Sequence, residues 1–222
     1  MLLLAGCMAA FVQPALAPFH EIWAGLLVAL SLALRRADRW IEAVAIALTA
    51  MLVRETAALY ALVMAALALA GGARREAVAW SAAIGVFALT LAAHAWAVSG
   101  VTGPLDPASP GWLGLNGPAL FVRAMTLATA LQMLPMAAAA VLAALALMGW
   151  ASLDDPLATR LTAVVIAYGA AIALFARLDT FYWGLMIAPA YLVGLAFLPD
   201  ALRALVGRVG ERRRVTVTRV PR

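Results

Sequence analysis

Long apolar runs, separated by short polar stretches or by proline and glycine, dominate the pattern of this chain. A helix that spans a bilayer needs roughly 20 apolar residues, and fewer where neighbouring helices enclose it. We therefore predict about eight hydrophobic helical segments, at 2–18, 22–34, 41–53, 56–70, 77–98, 134–151, 160–176 and 182–198. The stretch 41–70 also fits one long tilted helix with Arg54 and Glu55 inside it.

The longest connection between these segments is 99–133. Glycine and proline recur through its first half, which predicts loop and turns. The second half, 119–133, places Arg123 and Gln132 among apolar residues, a pattern typical of an amphipathic helix lying at the membrane interface. The basic stretch 203–222 is predicted to be a cytoplasmic tail, disordered from residue 211 onward.

Composition assigns the class of protein. Hydrophobic residues make up 66% of the chain and charged residues 12%, whereas a soluble domain is about half apolar and a quarter charged. We therefore predict an all-α, polytopic transmembrane helix bundle over residues 1–202, with the lipid bilayer as its partner. An alanine- and leucine-rich chain favours helices over a membrane barrel. The net charge of +5 lies on no soluble module, so nucleic acid is not predicted as a partner.

The arginines sort onto two sides of the predicted membrane. If all eight segments cross, the arginines at 35–39, 74–75, 160 and beyond 202 lie on one side. The positive-inside rule makes that side cytoplasmic, and the chain is predicted to lie in a bacterial inner membrane with its C-terminus inside. The acids near these arginines are predicted to be loop charges: Asp38, Glu42, Glu76, Asp154 and Asp155.

Two adjacent pairs of residues on the opposite, outer side are the main candidates for chemistry. Arg54 and Glu55 interrupt an uncharged run, and a charge at membrane depth costs ~2.5–3.5 kcal/mol. This pair is either a tie between helices or an arginine that holds phosphate beside an orienting acid. His20 and Glu21 either cap the helix that follows or supply a base or metal ligand.

The remaining outer candidates also have two interpretations each. His94 is a packing or a catalytic histidine, and Asp106 is predicted to be a turn residue. An interfacial aromatic belt or a sugar-stacking surface would explain Trp112, Tyr182 and Trp183. Arg177 either pairs with Asp179 at the membrane edge or contacts a lipid phosphate. The sequence has no glycine-rich phosphate loop, nucleophile elbow or metal-ligand spacing, so a cofactor is not identified and a divalent metal stays open.

Three stretches resemble bacterial polytopic proteins of the GT-C glycosyltransferase type. They are His20–Leu27, Arg54-Glu55 with its following apolar run, and Phe181–Leu185 with Ala188-Pro189. The resemblance implies transfer of a sugar from a polyprenyl-phosphate-linked donor, in an active site that faces the periplasm. Glu21 or Glu55 would then be the acid-base group with His20 as its partner, and Arg54, Arg123 or Arg177 would hold phosphate.

The key acid of such enzymes usually lies in the first large outer loop, just after the first membrane helix. Here the first apolar segment runs almost directly into His20, so we expect the chain to be the C-terminal part of a longer protein. Two other functions stay open. One is a transporter or flippase for an amphipathic lipid, which segments 134–151 and 160–176 disfavour because their centres carry no charge. The other is a non-catalytic fragment or accessory subunit.

Overall fold

Helices account for the regular structure of this chain. The computed structural model describes residues 1–103, 105–107 and 111–210, and within these ranges it contains no strand. The α-helices are α1 (Leu2–Cys7), α2 (His20–Leu34), α3 (Ile41–Val53), α4 (Ala58–Ala70), α5 (Arg74–Ser99), α6 (Pro118–Ala128), α7 (Met136–Ala151), α8 (Pro156–Phe175), α9 (Ala188–Tyr191) and α10 (Leu198–Gly210). Short 3-10 turns lie at Pro14–Leu16, Glu55–Ala57, Ala130–Met133, Phe181–Met186 and Leu192–Phe197. The all-α prediction is confirmed for the described residues.

Three helical stretches are long and apolar enough to cross a membrane: Arg74–Ser99, Pro156–Phe175 and Ala188–Gly207. The other main apolar helices have 10–17 residues, which is short for a span that faces lipid. The membrane-protein class is therefore supported, while the number of about eight crossing segments stays a prediction.

The prediction of one helix over 2–18 is wrong. Helix α1 ends at Cys7, turns follow, and a 3-10 turn begins at Pro14. Proline has no backbone N–H to continue a helix, and Pro14 and Pro18 both interrupt this stretch. The next helix, α2, begins at His20, two residues before the predicted start.

The stretch 41–70 forms two helices. Helix α3 covers the predicted 41–53, and Arg54 then adopts an extended conformation with φ −147° and ψ 119°. A 3-10 turn at Glu55–Ala57 leads into α4. The reversal places Arg54 and Glu55 at a helix–helix corner, so their charges lie at one end of the bundle and not in the middle of a long helix.

The prediction of one continuous helix over 182–198 is wrong as well. The chain passes through a 3-10 turn, the short α9 and a second 3-10 turn before α10 begins at Leu198. Gly194 packs so closely on α7 that an added Cβ would collide with the backbone oxygen of Ala146. The Trp150 indole N–H donates to the carbonyls of Ala190 and Tyr191, at 3.1 and 3.2 Å. Broken backbone at membrane depth needs such partners, and α7 supplies them.

Two further boundaries differ from the prediction. Helix α6 ends at Ala128, after which Thr129 is extended and a separate turn covers Ala130–Met133. One face of α6 is buried and Arg123 is exposed, as expected for an amphipathic helix. At the other end, residues 203–210 continue α10, whereas the predicted disordered stretch 211–222 lies outside the described residues.

A buried ion pair joins the end of α2 to the start of α5. Arg35 Nε and Nη2 donate to the two carboxylate oxygens of Glu76, at 2.9 and 2.5 Å. The Trp80 indole donates to the same carboxylate at 3.2 Å. Only 2% of the Glu76 side chain and 10% of the Arg35 side chain are exposed. The prediction of Glu76 as a loop charge is therefore wrong, because Glu76 lies in the first turn of α5 and forms a buried ion pair with Arg35.

We expect the substitution E76Q to destabilise the fold strongly. Removing one partner of a buried pair leaves an uncompensated charge and costs ~3–5 kcal/mol. Thermal unfolding in detergent micelles, followed by circular dichroism, measures the effect. E42Q is the matched control, since Glu42 pairs with Arg39 on the surface and is 54% exposed, where such pairs contribute little. Equal melting temperatures for the two variants would contradict the role assigned to the Arg35–Glu76 pair.

Candidate functional site

The start of α2 and the corner between α3 and α4 bring Glu21 and Arg54 into contact. Arg54 Nε lies 2.6 Å from Glu21 Oε1, with 21% of the arginine and 4% of the glutamate side chain exposed. The two atoms form an ion pair, but neither has an aligned hydrogen bond within the described residues. Since Glu21 bonds no helix amide at the start of α2, its main interaction is ionic and not capping.

A second carboxylate contacts the same guanidinium. Arg54 Nη1 lies 3.2 Å from Glu55 Oε1, and half of the Glu55 side chain is exposed. Two carboxylates thus share one arginine, which leaves an excess of negative charge. Glu55 is the more exposed of the two carboxylates, since only 4% of the Glu21 side chain is exposed.

An open cavity of about 310 Å³ lies over this group and is called the polar cavity. Its lining residues are Pro18, Phe19, His20, Glu21, Arg54 and Tyr182. His20 is exposed at the first residue of α2, and Tyr182 comes from the 3-10 turn after α8. The structure therefore places four of the sequence-predicted residues, His20, Glu21, Arg54 and Tyr182, around one cavity.

A second cavity, of about 380 Å³, is called the apolar cleft. Its lining residues are Glu55, Thr56, Leu59, Leu62, Trp112, Tyr168, Ala171, Phe175 and Trp183. Arg54 and Glu55 are consecutive, as are Tyr182 and Trp183, so the two cavities are neighbours. Within the described residues, Thr56 Oγ1 and Trp183 Nε1 are buried without a hydrogen-bond partner. Such unpaired buried groups cost free energy that a bound ligand could recover.

An arginine and two tryptophans form a stack at the edge of the apolar cleft. The guanidinium of Arg177 lies 5.1 Å from the ring centroid of Trp112. Trp112 in turn stacks on Trp183, with ring centroids 5.5 Å apart and an interplanar angle of 25°. Arg177 Nη1 also donates to the Gly111 carbonyl at 3.2 Å. Cation–π and stacking contacts of this kind hold loop residues in place.

Backbone hydrogen bonds attach this part of the loop to the end of α8. The amides of Leu115 and Gly117 donate to carbonyls in the last turn of α8, at 3.1 and 3.0 Å. The Asn116 side chain donates to the Ala176 carbonyl at 2.9 Å. Trp112 is therefore held against the apolar cleft by the chain on both of its sides.

Arg177 and Asp179 form an ion pair, which is the first of the two interpretations given for Arg177. Arg177 Nε and Nη2 donate to the two carboxylate oxygens of Asp179, at 3.2 and 3.3 Å. The hydrogen bond from Arg177 lowers the pKa of Asp179 below its ordinary value and raises the pKa of Arg177. This arginine carries its own counter-ion, which weakens its case as a phosphate ligand.

Three predicted residues lie apart from these cavities. His94 is exposed on α5, so it is not a packing histidine within this fold. Asp106 accepts a hydrogen bond from the Gly103 amide at 2.7 Å, which confirms the predicted turn. Arg123 is exposed on α6, a helix that packs against the turn carrying Tyr182 and Trp183. Within the described residues, no carboxylate lies within 4.0 Å of Arg123.

The sequence analysis missed the helical wall of the apolar cleft, including Thr56, Tyr168 and Phe175. The Tyr168 hydroxyl donates to the Thr56 carbonyl at 2.8 Å and so joins α8 to the corner after α3. Tyr168, a polar side chain within the apolar second half of α8, was the feature of the sequence that could have indicated this wall. For metals, the described part of the chain holds no group of three or more histidine, cysteine, aspartate or glutamate residues.

We expect E21Q to destabilise the protein much more than E55Q. The first variant removes the buried partner of Arg54 and leaves the exposed Glu55 as its counter-ion, so we expect a cost of at most ~3 kcal/mol, the low end for breaking a buried pair. The second removes an exposed carboxylate while the Glu21–Arg54 pair stays intact. Thermal unfolding of both variants in one detergent tests this order. A larger loss for E55Q would show that Glu21 is not the structural partner of Arg54.

We also expect R177Q to raise the pKa of Asp179 toward its ordinary value of about 3.9. The depressed pKa means that this pair stabilises the fold above the ordinary carboxylate pKa and that the contribution is lost as the pH falls. Carbon-13 NMR of the labelled aspartate carboxylates, titrated through the acid range, follows this group. D179N identifies its resonance, and an unchanged titration in R177Q would contradict the pairing.

No family model, curated protein or solved structure matches this chain.

Proposed function

We propose that this chain is a multi-pass inner-membrane protein of glycosyltransferase type, which moves a sugar from a polyprenyl-phosphate donor on the outer face. One observation carries the proposal: the polar cavity and the apolar cleft adjoin each other along Arg54-Glu55 and Tyr182-Trp183. An amphipathic ligand needs such a pair of neighbouring sites, one for its polar group and one for its hydrocarbon chain.

The apolar cleft suits a hydrocarbon chain. Leucine and aromatic side chains form most of its wall, and Phe175 and Trp112 are 44% and 43% exposed. Its polar atoms are few and lie toward the corner that carries Thr56 and Glu55. A chain in the cleft would therefore leave its polar end beside the polar cavity.

The charge in the polar cavity favours the sugar over the phosphate. Glu21 lines this cavity with Arg54, and Glu55 contacts the same guanidinium from the adjoining cleft, so a phosphate there would meet net negative charge. Sugar hydroxyls, in contrast, donate hydrogen bonds to carboxylates. Arg54 was a candidate phosphate ligand, but its charge is compensated, and Arg177 is paired with Asp179. Arg123, exposed on the helix that packs against the 181–186 turn, is the better candidate for the phosphate.

Glu55 is the proposed general base. Its half-exposed carboxylate would take the proton of the acceptor hydroxyl while that oxygen bonds to the anomeric carbon of the sugar. The bond from that carbon to the phosphate oxygen breaks, and the phosphate leaves with the electron pair. Glu21 would act through Arg54 as a positioning residue, and His20 at the cavity mouth is the proposed partner for the transferred proton.

Transfer of a labelled sugar from a polyprenyl-phosphate donor tests the proposal, with protein expressed from its own chromosomal locus and reconstituted in vesicles. Loss of a general base lowers rates ~10²–10⁴-fold, so E55Q should fall by that amount, while the surface control E42Q keeps full activity. Full activity of E55Q would exclude Glu55 as the base. If the unmodified protein transfers no sugar but flips lipid headgroups in the same vesicles, the protein is a transporter and the proposed enzymatic function is overturned.

A further inference from the structure

The opposite end of α2 carries a second charged cluster, which the proposed function does not use. Helix α2 has 15 residues, so Arg35 lies about 21 Å along the axis from Glu21. Arg35 and Glu76 form the buried pair described above. Arg160, in the second turn of α8, lies within electrostatic range of both.

The carboxylate of Glu76 is already occupied. Its oxygens accept both donors of Arg35 and the indole N–H of Trp80. Within the described residues, no carboxylate lies within 4.0 Å of Arg160. Arg160 Nη1 donates only to the Pro156 carbonyl of its own helix, at 2.8 Å, so most of its five N–H donors are available.

The other polar groups near Arg160 leave its guanidinium donors unoccupied. Asp155 is within electrostatic range, but its Oδ1 accepts from the Leu157 and Ala158 amides at the start of α8. Tyr60 and Ser31 are neutral and bond to each other at 2.9 Å. Arg160 therefore keeps free guanidinium donors beside the Arg35–Glu76 pair, and an anion bound to those donors would lower the free energy of this cluster.

We propose that Arg160 binds the phosphodiester of an anionic lipid headgroup. A guanidinium presents a planar pair of donors that matches two phosphate oxygens, and basic sites between membrane helices bind such headgroups. The lipid is favoured over soluble phosphate because α8 is one of the helices apolar enough to span a membrane. Leu157, one turn before Arg160, is 40% exposed and offers an apolar contact for the acyl chain beside the phosphate.

Native mass spectrometry of the full chain, released from detergent and titrated with phosphatidylglycerol, tests the proposal. One arginine near an anionic surface changes affinity about fivefold, so R160Q should bind the first lipid about fivefold more weakly. R203Q is the matched control, because Arg203 is exposed on α10 and paired with Asp200 at 2.6 Å. It removes the same charge and should bind as the unmodified protein does.

The bound mass separates the possible sources of the phosphate group. A parallel titration with inorganic phosphate should give no adduct. If the unmodified protein instead forms a phosphate adduct that R160Q does not form, the site binds a soluble anion and the lipid proposal is overturned. Equal lipid binding by R160Q and the unmodified protein would overturn the site itself. If R160Q fails to fold, R160K is the second variant, because it keeps the positive charge without the paired donors. Lipid binding by R160K as tight as that of the unmodified protein would exclude recognition by the guanidinium.

Discussion

Charge pairing within an apolar chain is the constraint on which the rest of this structure depends. Helix α2 carries Glu21 in its first turn, and Arg35 follows its last residue. A charge that leaves water without a partner costs several kcal/mol. Arg54 forms an ion pair with Glu21, and Glu76 forms an ion pair with Arg35. Because the two pairs lie at opposite ends of one helix, they set the position of α2 against the α3–α4 corner and against α5.

The same ion pairs distinguish charged residues that stabilise the fold from charged residues that stay available for a ligand. Glu21 forms a buried ion pair with Arg54, whereas the carboxylate of Glu55 stays half exposed. At the other end, Arg35 pairs with Glu76, and within the described residues no carboxylate lies within 4.0 Å of Arg160. We propose ligand binding for the group that remains available after each pair has formed. In this fold those groups are Glu55 beside the polar cavity and Arg160 in the second charged cluster.

Irregular backbone supplies the rest of the candidate site. The 3-10 turn at Phe181–Met186 places Tyr182 over the polar cavity and Trp183 in the apolar cleft. Consecutive residues of a 3-10 turn lie about 120° apart around its axis, so the two side chains reach two neighbouring cavities. Glycine allows the close approach that holds this stretch, since Gly184 lies against the backbone of Ala124 and Gly194 against that of Ala146.

The sequence by itself determined the helical membrane class, the bounds of α3 and the turn at Asp106, and it left the Arg177–Asp179 pair as one of two alternatives. Each of these follows from composition, hydrophobic runs or neighbours a few residues apart. Only the tertiary structure decided that Glu21 meets Arg54, that Glu76 is buried, and that 2–18 and 182–198 are broken. Those outcomes depend on which helix ends meet, and a one-dimensional pattern of apolar residues carries no information about packing between helices that are apolar on every side.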